Sequence, residues 1–193
     1  MPLIRNSISL LIVFTVFLGL LYPLSMTGMA HVLFPRQAAG SLVVDQGRVI
    51  GSVLIGQDFQ SDKYFHSRPS AAGKGYDATN SGGSNLSQTS RVWIDTLKGR
   101  IDEAQQKNGH LGLPVPIDLV TASGSGLDPQ ESLAAAYYQA SRIARVRHLP
   151  EVHVRQLIAD HTRLPLLGFL GEPTVNVLEL NRALDVFKTN DPF

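Results

Sequence analysis

The sequence contains no cysteine, and this absence excludes several kinds of chemistry. Without a thiol the chain can form no disulfide, no thiolate metal site and no thiol nucleophile. Its stability therefore has to come from packing or from a partner protein.

The chain also lacks an excess of either charge: it has 17 Lys and Arg, 16 Asp and Glu, and a formal net charge of +1. No segment concentrates Lys and Arg into a stripe that could follow a phosphate backbone. We therefore expect no nucleic-acid partner.

Recognisable catalytic and metal-binding motifs are missing as well. No Gly-x-Ser-x-Gly elbow presents a serine nucleophile, and no Asp or Glu lies in a sequence setting that marks a raised pKa. His148, His153 and His161 are five and eight residues apart, unlike the i, i+4 histidine pair of zinc hydrolase helices. We therefore expect neither an enzyme active site nor a metal site.

What the sequence does have is one long apolar run near its start. Residues 8–24 contain no charged side chain, and as a helix they would be roughly 25 Å long, or roughly 33 Å if the helix continues to Met29. Arg5 precedes the run and the next Lys or Arg is Arg36, so the charge bias keeps the amino terminus in the cytoplasm. The pattern predicts a transmembrane anchor at residues 1–30 and a remainder outside the cytoplasm.

A cleaved signal peptide is the alternative, since Gly28-Met29-Ala30 has the small residues of a cleavage site. The protein would then be a secreted binding protein. The apolar run is, however, longer than the roughly 7 to 15 residues of a signal-peptide core, and Tyr22 with Pro23 suits a membrane interface. An uncleaved anchor with a single membrane pass is the favoured interpretation.

The remainder, residues 31–193, is long enough for one domain with its own core. Apolar, β-branched runs at residues 41–44 and 48–55 flank Asp45-Gln46-Gly47 and predict a β-hairpin, because the glycine permits a tight reversal. Residues 115–120 predict a further strand. The sequence thus predicts an α+β fold, with one amino-terminal transmembrane helix followed by a single mixed α/β extracytoplasmic (periplasmic) domain.

Capping residues and apolar periodicity predict four helices in this domain. The clearest start signals are Asp128 before Pro129, and Asn176 with Glu179 three residues later. Asn108-Gly109 is a typical helix end. The predicted helices run from Ser87 to Lys107, from Asp128 past Ala144, from Pro150 to Thr162, and from Asn176 to Phe187.

Residues 57–86, here called the long loop, are rich in Gly, Ser and Asn and poor in aliphatic side chains. Loops of this length in compact domains are usually functional or disordered, and the cluster of Tyr64, Phe65 and Arg68 argues for order. Because aromatic and Arg side chains anchor interfaces, we expect the long loop to face a partner. The alternative is an ordered loop folded onto its own domain, with Arg68 bonded to backbone carbonyls.

A glycine-rich turn, Ser123-Gly124-Ser125-Gly126, is the one stretch with the look of a ligand site. Successive amides in such a turn can hold an anion or a phosphate. No Lys follows, however, and Asp128 would add negative charge. The stretch is therefore either part of a binding module for an anionic ligand, secreted or membrane-anchored and without catalytic role, or a plain turn between two elements.

Small residues also lie at spacings near four in the apolar run, at Thr15, Gly19 and Ser25. Small residues let transmembrane helices approach closely. We expect Thr15 and Gly19 to contact a neighbouring membrane helix.

Seven blocks in this order carry a resemblance to a known family: YPL at 22–24, GSL at 40–42, GSVLIGQ at 51–57, YFHSRPSA at 64–71, SGGSNL at 81–86, DLVTASGSGLDP at 118–129 and GFLGEP at 168–173. Together they resemble the C subunit of the Kdp potassium-transporting ATPase over nearly the full length. The chain departs from the family at Ser87-Gln88, where Gly-Pro is expected, and this affects the start of the first soluble helix.

The resemblance implies an accessory subunit with one membrane helix in the cell inner membrane and an outer domain. It further implies three partners: a channel-like potassium-binding subunit, a P-type ATPase subunit and a very small membrane peptide. Catalysis would belong to these partners.

The resemblance also implies a catalytic chaperone that raises the ATP affinity of the ATP-hydrolysing subunit, with nucleotide binding ascribed to the C subunit itself. The matching candidate here is the glycine-rich turn at Ser123, Gly124, Ser125 and Gly126. The predicted topology places this turn across the membrane from cytoplasmic ATP, so direct ATP contact conflicts with it.

Overall fold

The structure is a computed structural model that describes residues 2–109 and 112–189. The chain forms two compact units, one ending at Ser52 and one beginning at Val53. The predicted α+β fold with one amino-terminal apolar helix is confirmed. The domain boundary after residue 30 stays a prediction, although the hairpin assigned to the outer domain lies in the first unit.

The first unit begins with a helix of 32 residues, Pro2–Leu33, which is long and apolar enough to cross a membrane by length and composition. It consists of α1 (Pro2–Val16), a π-helical turn (Phe17–Leu21) and α2 (Tyr22–Leu33). Pro23 has no N–H to donate to the carbonyl four residues earlier, and the Tyr22 N–H bonds Phe17 O instead. The proline therefore explains the wider turn. A short helix α3 (Pro35–Ala38) follows.

The predicted β-hairpin is confirmed. Strands β1 (Leu42–Asp45) and β2 (Arg48–Ser52) pair antiparallel, with Asp45 opposite Arg48. Gln46 and Gly47 both have positive φ, 45° and 79°, as a two-residue type I′ turn requires. The second strand ends at Ser52 and not at residue 55, and the Ser52 hydroxyl donates to Gly40 O at 2.7 Å.

The second unit has its first helix, α4 (Arg91–Asn108), where the sequence predicts one. It begins after Ser90, so the prediction of Ser87 as the cap is wrong, and it ends at Gly109 with φ of 88°, as predicted. The strand predicted at residues 115–120 is also wrong. A short 3-10 turn (Ile117–Leu119) lies there, behind Pro116, which cannot donate to a strand partner.

The helix predicted to begin at Asp128 begins five residues later. Strand β3 (Gln130–Ser132) precedes α5 (Leu133–Arg147), and the Ser132 hydroxyl caps this helix by accepting from the Ala135 N–H at 3.3 Å. The cap pattern around Asp128 does not start a helix, because residues 130–132 pair instead with a distant strand, β5 (Thr174–Asn176). β4 (Thr162–Arg163) pairs with the other edge of β5, so the antiparallel sheet has the order β3-β5-β4.

The last two helices, α6 (Glu151–Asp160) and α7 (Val177–Thr189), lie where they were predicted. The cap of α7 is confirmed, because Asn176 Oδ1 accepts from the Glu179 N–H at 3.1 Å. The apolar faces of α5, α6 and α7 pack together around β5 and one loop residue, Phe65. The buried core consists of Phe65, Ala136, Ala140, Ile143, Ala144, Val154, Ile158, Val175, Val177, Leu180 and Leu184.

Candidate functional site

The long loop is irregular, as predicted, because no helix or strand is assigned between β2 and α4, a stretch that the structure describes in full. It is nevertheless ordered by side chains of α5. Arg142, 1% exposed, donates to the carbonyls of Asp62 and Tyr64, the latter at 3.0 Å. Arg147 donates to Lys63 O at 2.7 Å. Two arginines of one helix thus hold three consecutive loop carbonyls.

Arg142 is itself held by side chains. Its guanidinium also donates to Asn108 Oδ1 at 3.0 Å and to Gln139 Oε1 at 2.7 Å. Burial lowers the pKa of Arg142 to about 10, so the group stays charged at neutral pH. In the sequence, Arg142 is one of three arginines in the second half of α5, with Arg145 and Arg147, and no local signal marks it as the one that is almost fully buried.

Phe65, expected among the partner-facing residues, is instead 0% exposed and packs in the core of the second unit. Its N–H donates to Asn181 Oδ1 at 2.8 Å, and Asn181 returns a bond to Phe65 O at 3.0 Å. This residue therefore follows the alternative interpretation, in which the loop folds onto its own domain. Aromatic character favours burial in a core as much as at an interface, which is why composition did not separate the two.

Tyr64 and Arg68 are half-buried and bonded within the second unit. The Tyr64 hydroxyl donates to Asp185 Oδ2 at 2.9 Å. Arg68 Nη1 lies 3.1 Å from Asp128 Oδ2, and its Nε lies 3.7 Å from Asp118 Oδ1. Asp128 is therefore no helix cap: it pairs with Arg68, and its Oδ1 accepts from the Gln130 N–H at 3.0 Å.

The glycine-rich turn packs against the long loop. Ser125 O accepts from the Gly82 N–H and from the Ser81 hydroxyl, both at 2.9 Å. Gly126 O accepts from the Ser70 hydroxyl at 2.6 Å, and the Gly126 N–H donates to Ser123 O at 3.2 Å. These backbone groups join two segments of one unit, the role of a structural turn.

Gly126 is required there for a steric reason. Its φ is +67°, and a Cβ at this position would lie 2.6 Å from Gly82 O and 2.7 Å from Ala72 N. At Gly124, by contrast, no atom of the described residues other than those of its chain neighbours lies within 4 Å of the Cβ position. Close packing therefore explains the glycine at position 126 but not the one at position 124.

Sequence reasoning missed one titratable group, Glu131 in β3. It is 2% exposed, its Oε2 accepts from Gln139 Nε2 at 3.0 Å, and its Oε1 has no hydrogen-bond partner among the described residues. Burial, helped by the negative charge of Asp118, raises the pKa of the Glu131 carboxyl well above its usual value. The position reads as the first turn of a helix in sequence, so only the strand pairing reveals its burial.

Gln139, which donates to Glu131, also lines an open cavity of about 470 Å³. Burial, followed by the charge of Arg142, lowers the pKa of His66 in its wall to about 4, so this histidine is neutral at pH 7. No group of three or more His, Asp or Glu side chains suited to a metal ion occurs in residues 2–109 and 112–189. The polar wall of the cavity is formed by Asp58, Gln60, His66, Ser67, Tyr76, Arg100, Glu103, Lys107, Asn108 and Gln139.

In the apolar helix, Thr15 and Gly19 lie on one face, since Thr15 Cγ2 is 4.0 Å from the Cβ position of Gly19. Both are exposed. Their contact with another helix stays a prediction.

Comparison with known proteins assigns the family. The family model described as K+-transporting ATPase, c chain, matches residues 4–186, nearly the whole chain. The chain belongs to the KdpC family. The match extends from the apolar helix to α7, so the KdpC resemblance drawn from the seven sequence blocks is confirmed over both compact units.

Curated KdpC relatives agree with this assignment. The Acidobacterium capsulatum protein is 57% identical over 182 residues, covering 94% of this chain and 97% of the relative. The Bradyrhizobium diazoefficiens protein is 52% identical over 194 residues, covering 94% and 96%. The Polaromonas naphthalenivorans protein is 51% identical over 187 residues, covering 96% and 95%. Each relative is named potassium-transporting ATPase KdpC subunit.

Proposed function

We propose that this chain is a non-catalytic accessory subunit of a potassium-transporting ATPase of the cell inner membrane. The observation that carries the proposal is the KdpC family match over residues 4–186 in a chain with one helix able to cross a membrane. Arg5 before that helix and the lack of Lys and Arg up to Arg36 favour a cytoplasmic amino terminus and an outer domain in the periplasm.

The partners in this proposal are a channel-like potassium-binding subunit, a P-type ATPase subunit and a small membrane peptide. Contact in the membrane would use the face with Thr15 and Gly19. Contact outside would use exposed parts of the long loop, such as Lys74 and Ser84, since Phe65 is committed to the core. Tyr64 and Arg68 would then position the loop for a partner through their bonds to Asp185 and Asp128.

A chaperone effect on ATP affinity would act through assembly and not through direct ATP contact. The glycine-rich turn supports this view, because the Gly126 N–H already donates to Ser123 O, the next N–H, of Leu127, donates to Ser125 Oγ, and the acidic Asp128 follows directly. No positively charged side chain is bonded to the turn among the contacts described above.

The experiment is purification of the assembled transporter in mild detergent from cells that express the tagged chain with the other Kdp chains. We expect the other chains to co-purify, and potassium-dependent ATPase activity with a lower apparent KM for ATP than in a preparation without this chain. Isolation of the tagged chain alone, under conditions that preserve an ATPase assembled from the others, would contradict the proposal.

Gly19→Leu tests the membrane contact, with Gly28→Leu as the matched control. Both positions are exposed helical glycines in the same apolar helix. We expect Gly19→Leu to lower recovery of the complex while membrane insertion is unchanged, and Gly28→Leu to leave both unchanged. Equal recovery for the two variants would remove the small-residue face from the proposal.

A further inference from the structure

The second unit carries a cluster of exposed apolar side chains in the segment between β4 and β5. Residues 164–171, here called the apolar loop, contain no charged side chain. Single exposed apolar residues are common on protein surfaces. Here, however, five large apolar side chains that are between 52% and 79% exposed lie within eight residues. These side chains are Leu164, Leu166, Leu167, Phe169 and Leu170.

The apolar loop is a built turn. Leu166 and Leu170 form an antiparallel bridge, and the Leu170 N–H donates to Leu166 O at 3.0 Å. The Gly168 N–H donates to Pro165 O at 3.0 Å. The chain therefore reverses tightly at residues 167–168.

The conformation of Leu167 is the second observation. Its φ is +56°, in the left-handed region that Gly and Asn adopt readily and that bulky residues rarely adopt. Gly or Asn would relieve this strain, and Leu at an exposed strained position gains no core contact in return. A backbone outlier of this kind points to a functional demand for the apolar side chain itself.

The composition of the apolar loop fits lipid better than protein. Hot spots of protein interfaces are enriched in Trp, Tyr and Arg, and Leu is under-represented in them, whereas Leu and Phe enter hydrocarbon favourably. The same chain also has a helix that is long and apolar enough to cross a bilayer, Pro2–Leu33, and that can attach the chain to a membrane. Tethering by that helix makes insertion an intramolecular event, so a weak intrinsic affinity is sufficient.

We propose that the apolar loop inserts into the interface of the lipid bilayer that the chain's own helix spans. Insertion is driven by apolar burial and does not require anionic lipid, since Arg163, the basic residue next to the loop, is paired with Glu179 at 2.5 Å. The proposal does not depend on which side of the membrane the second unit occupies, and it is independent of the partners named above.

The test uses the full chain in vesicles of zwitterionic phosphatidylcholine. The chain has a single tryptophan, Trp93, so Trp93→Phe gives a silent background. Phe169→Trp reports from the apolar loop, and Ile117→Trp is the matched control because Phe169 and Ile117 are 71% and 70% exposed. With brominated lipid we expect the indole at position 169 to lose roughly half of its fluorescence while the control changes little.

Leu167→Asn, added to the Phe169→Trp protein, separates insertion from folding. Asn suits the positive φ, so the melting temperature should stay the same or rise, while quenching by brominated lipid falls about twofold or more because less apolar surface is buried. Equal quenching at positions 117 and 169 would overturn the proposal. The absence of quenching at position 169 by brominated lipid would also overturn it. If the indole at position 169 is protected only when the other Kdp chains are present, the apolar loop contacts a protein partner and the proposal is wrong.

Discussion

At the scale of single residues, Arg142 links α5 to the long loop. It joins segments about 80 residues apart in the chain, and it satisfies two main-chain carbonyls and two side-chain oxygens at once. Removal of such a side chain leaves buried acceptors without donors, and each carries a desolvation penalty.

Arg142→Ala should therefore lower the free energy of unfolding by about 3 kcal/mol or more. The control is Arg145→Ala on the same helix, where the arginine is exposed and the change should stay within about 0.5 kcal/mol. Thermal or urea unfolding of the purified chain in detergent measures both. Similar losses for the two variants would contradict the role given to Arg142.

Glu131 is the second residue whose burial has a measurable consequence. Its pKa in the folded state is raised, chiefly by burial, above the unfolded value of about 4.3. The folded protein therefore binds a proton that the unfolded chain releases. The stability that this proton contributes is complete below about pH 4 and is lost as the pH rises towards the folded-state pKa.

Glu131→Gln keeps the shape of the protonated carboxyl and removes the titration. We expect the melting temperature of this variant, relative to the wild type, to increase as the pH is raised from about 4.5 to about 8. His66 titrates in both proteins, so its contribution largely cancels in the difference. Glu103→Gln is the control, because the hydrogen bond from Lys107 lowers the pKa of Glu103. Its carboxylate form is already complete above about pH 4.5, so the difference between this variant and the wild type should stay nearly constant over the same range. A pH-independent difference for Glu131→Gln would refute the assignment.

At the scale of helices and turns, two serines precede helices but only one caps with its side chain. Ser132 Oγ accepts from the Ala135 N–H at the start of α5, whereas Ser90 makes no such bond before α4. Ser132→Ala should cost about 1 kcal/mol and Ser90→Ala less than about 0.5 kcal/mol in unfolding free energy. Chemical denaturation measures the unfolding free energy of both variants. A larger loss for Ser90→Ala than for Ser132→Ala would mean that the Ser90 side chain does stabilise the start of α4, and would contradict this assignment.

The glycine-rich turn gives a similar paired test. Gly126→Ala has to adopt a positive φ and meets Gly82 O and Ala72 N, so we expect a loss of about 2 kcal/mol or more, while Gly124→Ala should be nearly silent. Melting temperatures report the difference in stability. If the turn held a phosphate through successive amides, Gly124→Ala would weaken the apparent ATP affinity of the assembled transporter without a loss of stability.

At the scale of the whole molecule, the lack of cysteine makes topology directly measurable. Ser125→Cys places one thiol on an exposed residue of the second unit, and Leu3→Cys places one before the apolar run. A membrane-impermeant maleimide should label the first variant in intact spheroplasts and the second only after permeabilisation. The reverse pattern would place the second unit in the cytoplasm and restore direct ATP contact as a possibility.

Much of this architecture could be predicted because its signals are local. The apolar run before Arg36 predicts the membrane helix, Gln46-Gly47 predicts the hairpin turn, and Asn108-Gly109 and Asn176 mark helix ends that the structure confirms. Each depends on residues within a few positions of one another, so backbone sterics and capping decide it without reference to the rest of the chain.

Tertiary structure decided where distant segments compete for the same groups. Asp128 has the sequence of a helix cap, yet residues 130–132 pair with β5 and Asp128 binds Arg68, because pairing with segments more than 40 residues away satisfies more polar groups than one helical turn does. Phe65 reads as an interface anchor and is core, since α5 and α7 offer it a pocket and Asn181 bonds its backbone. The sequence by itself determined the apolar helix, the hairpin, the approximate positions of the later helices and the family. Strands β3, β4 and β5, and the burial of Phe65, Glu131 and Arg142, were determined by which segments meet in space.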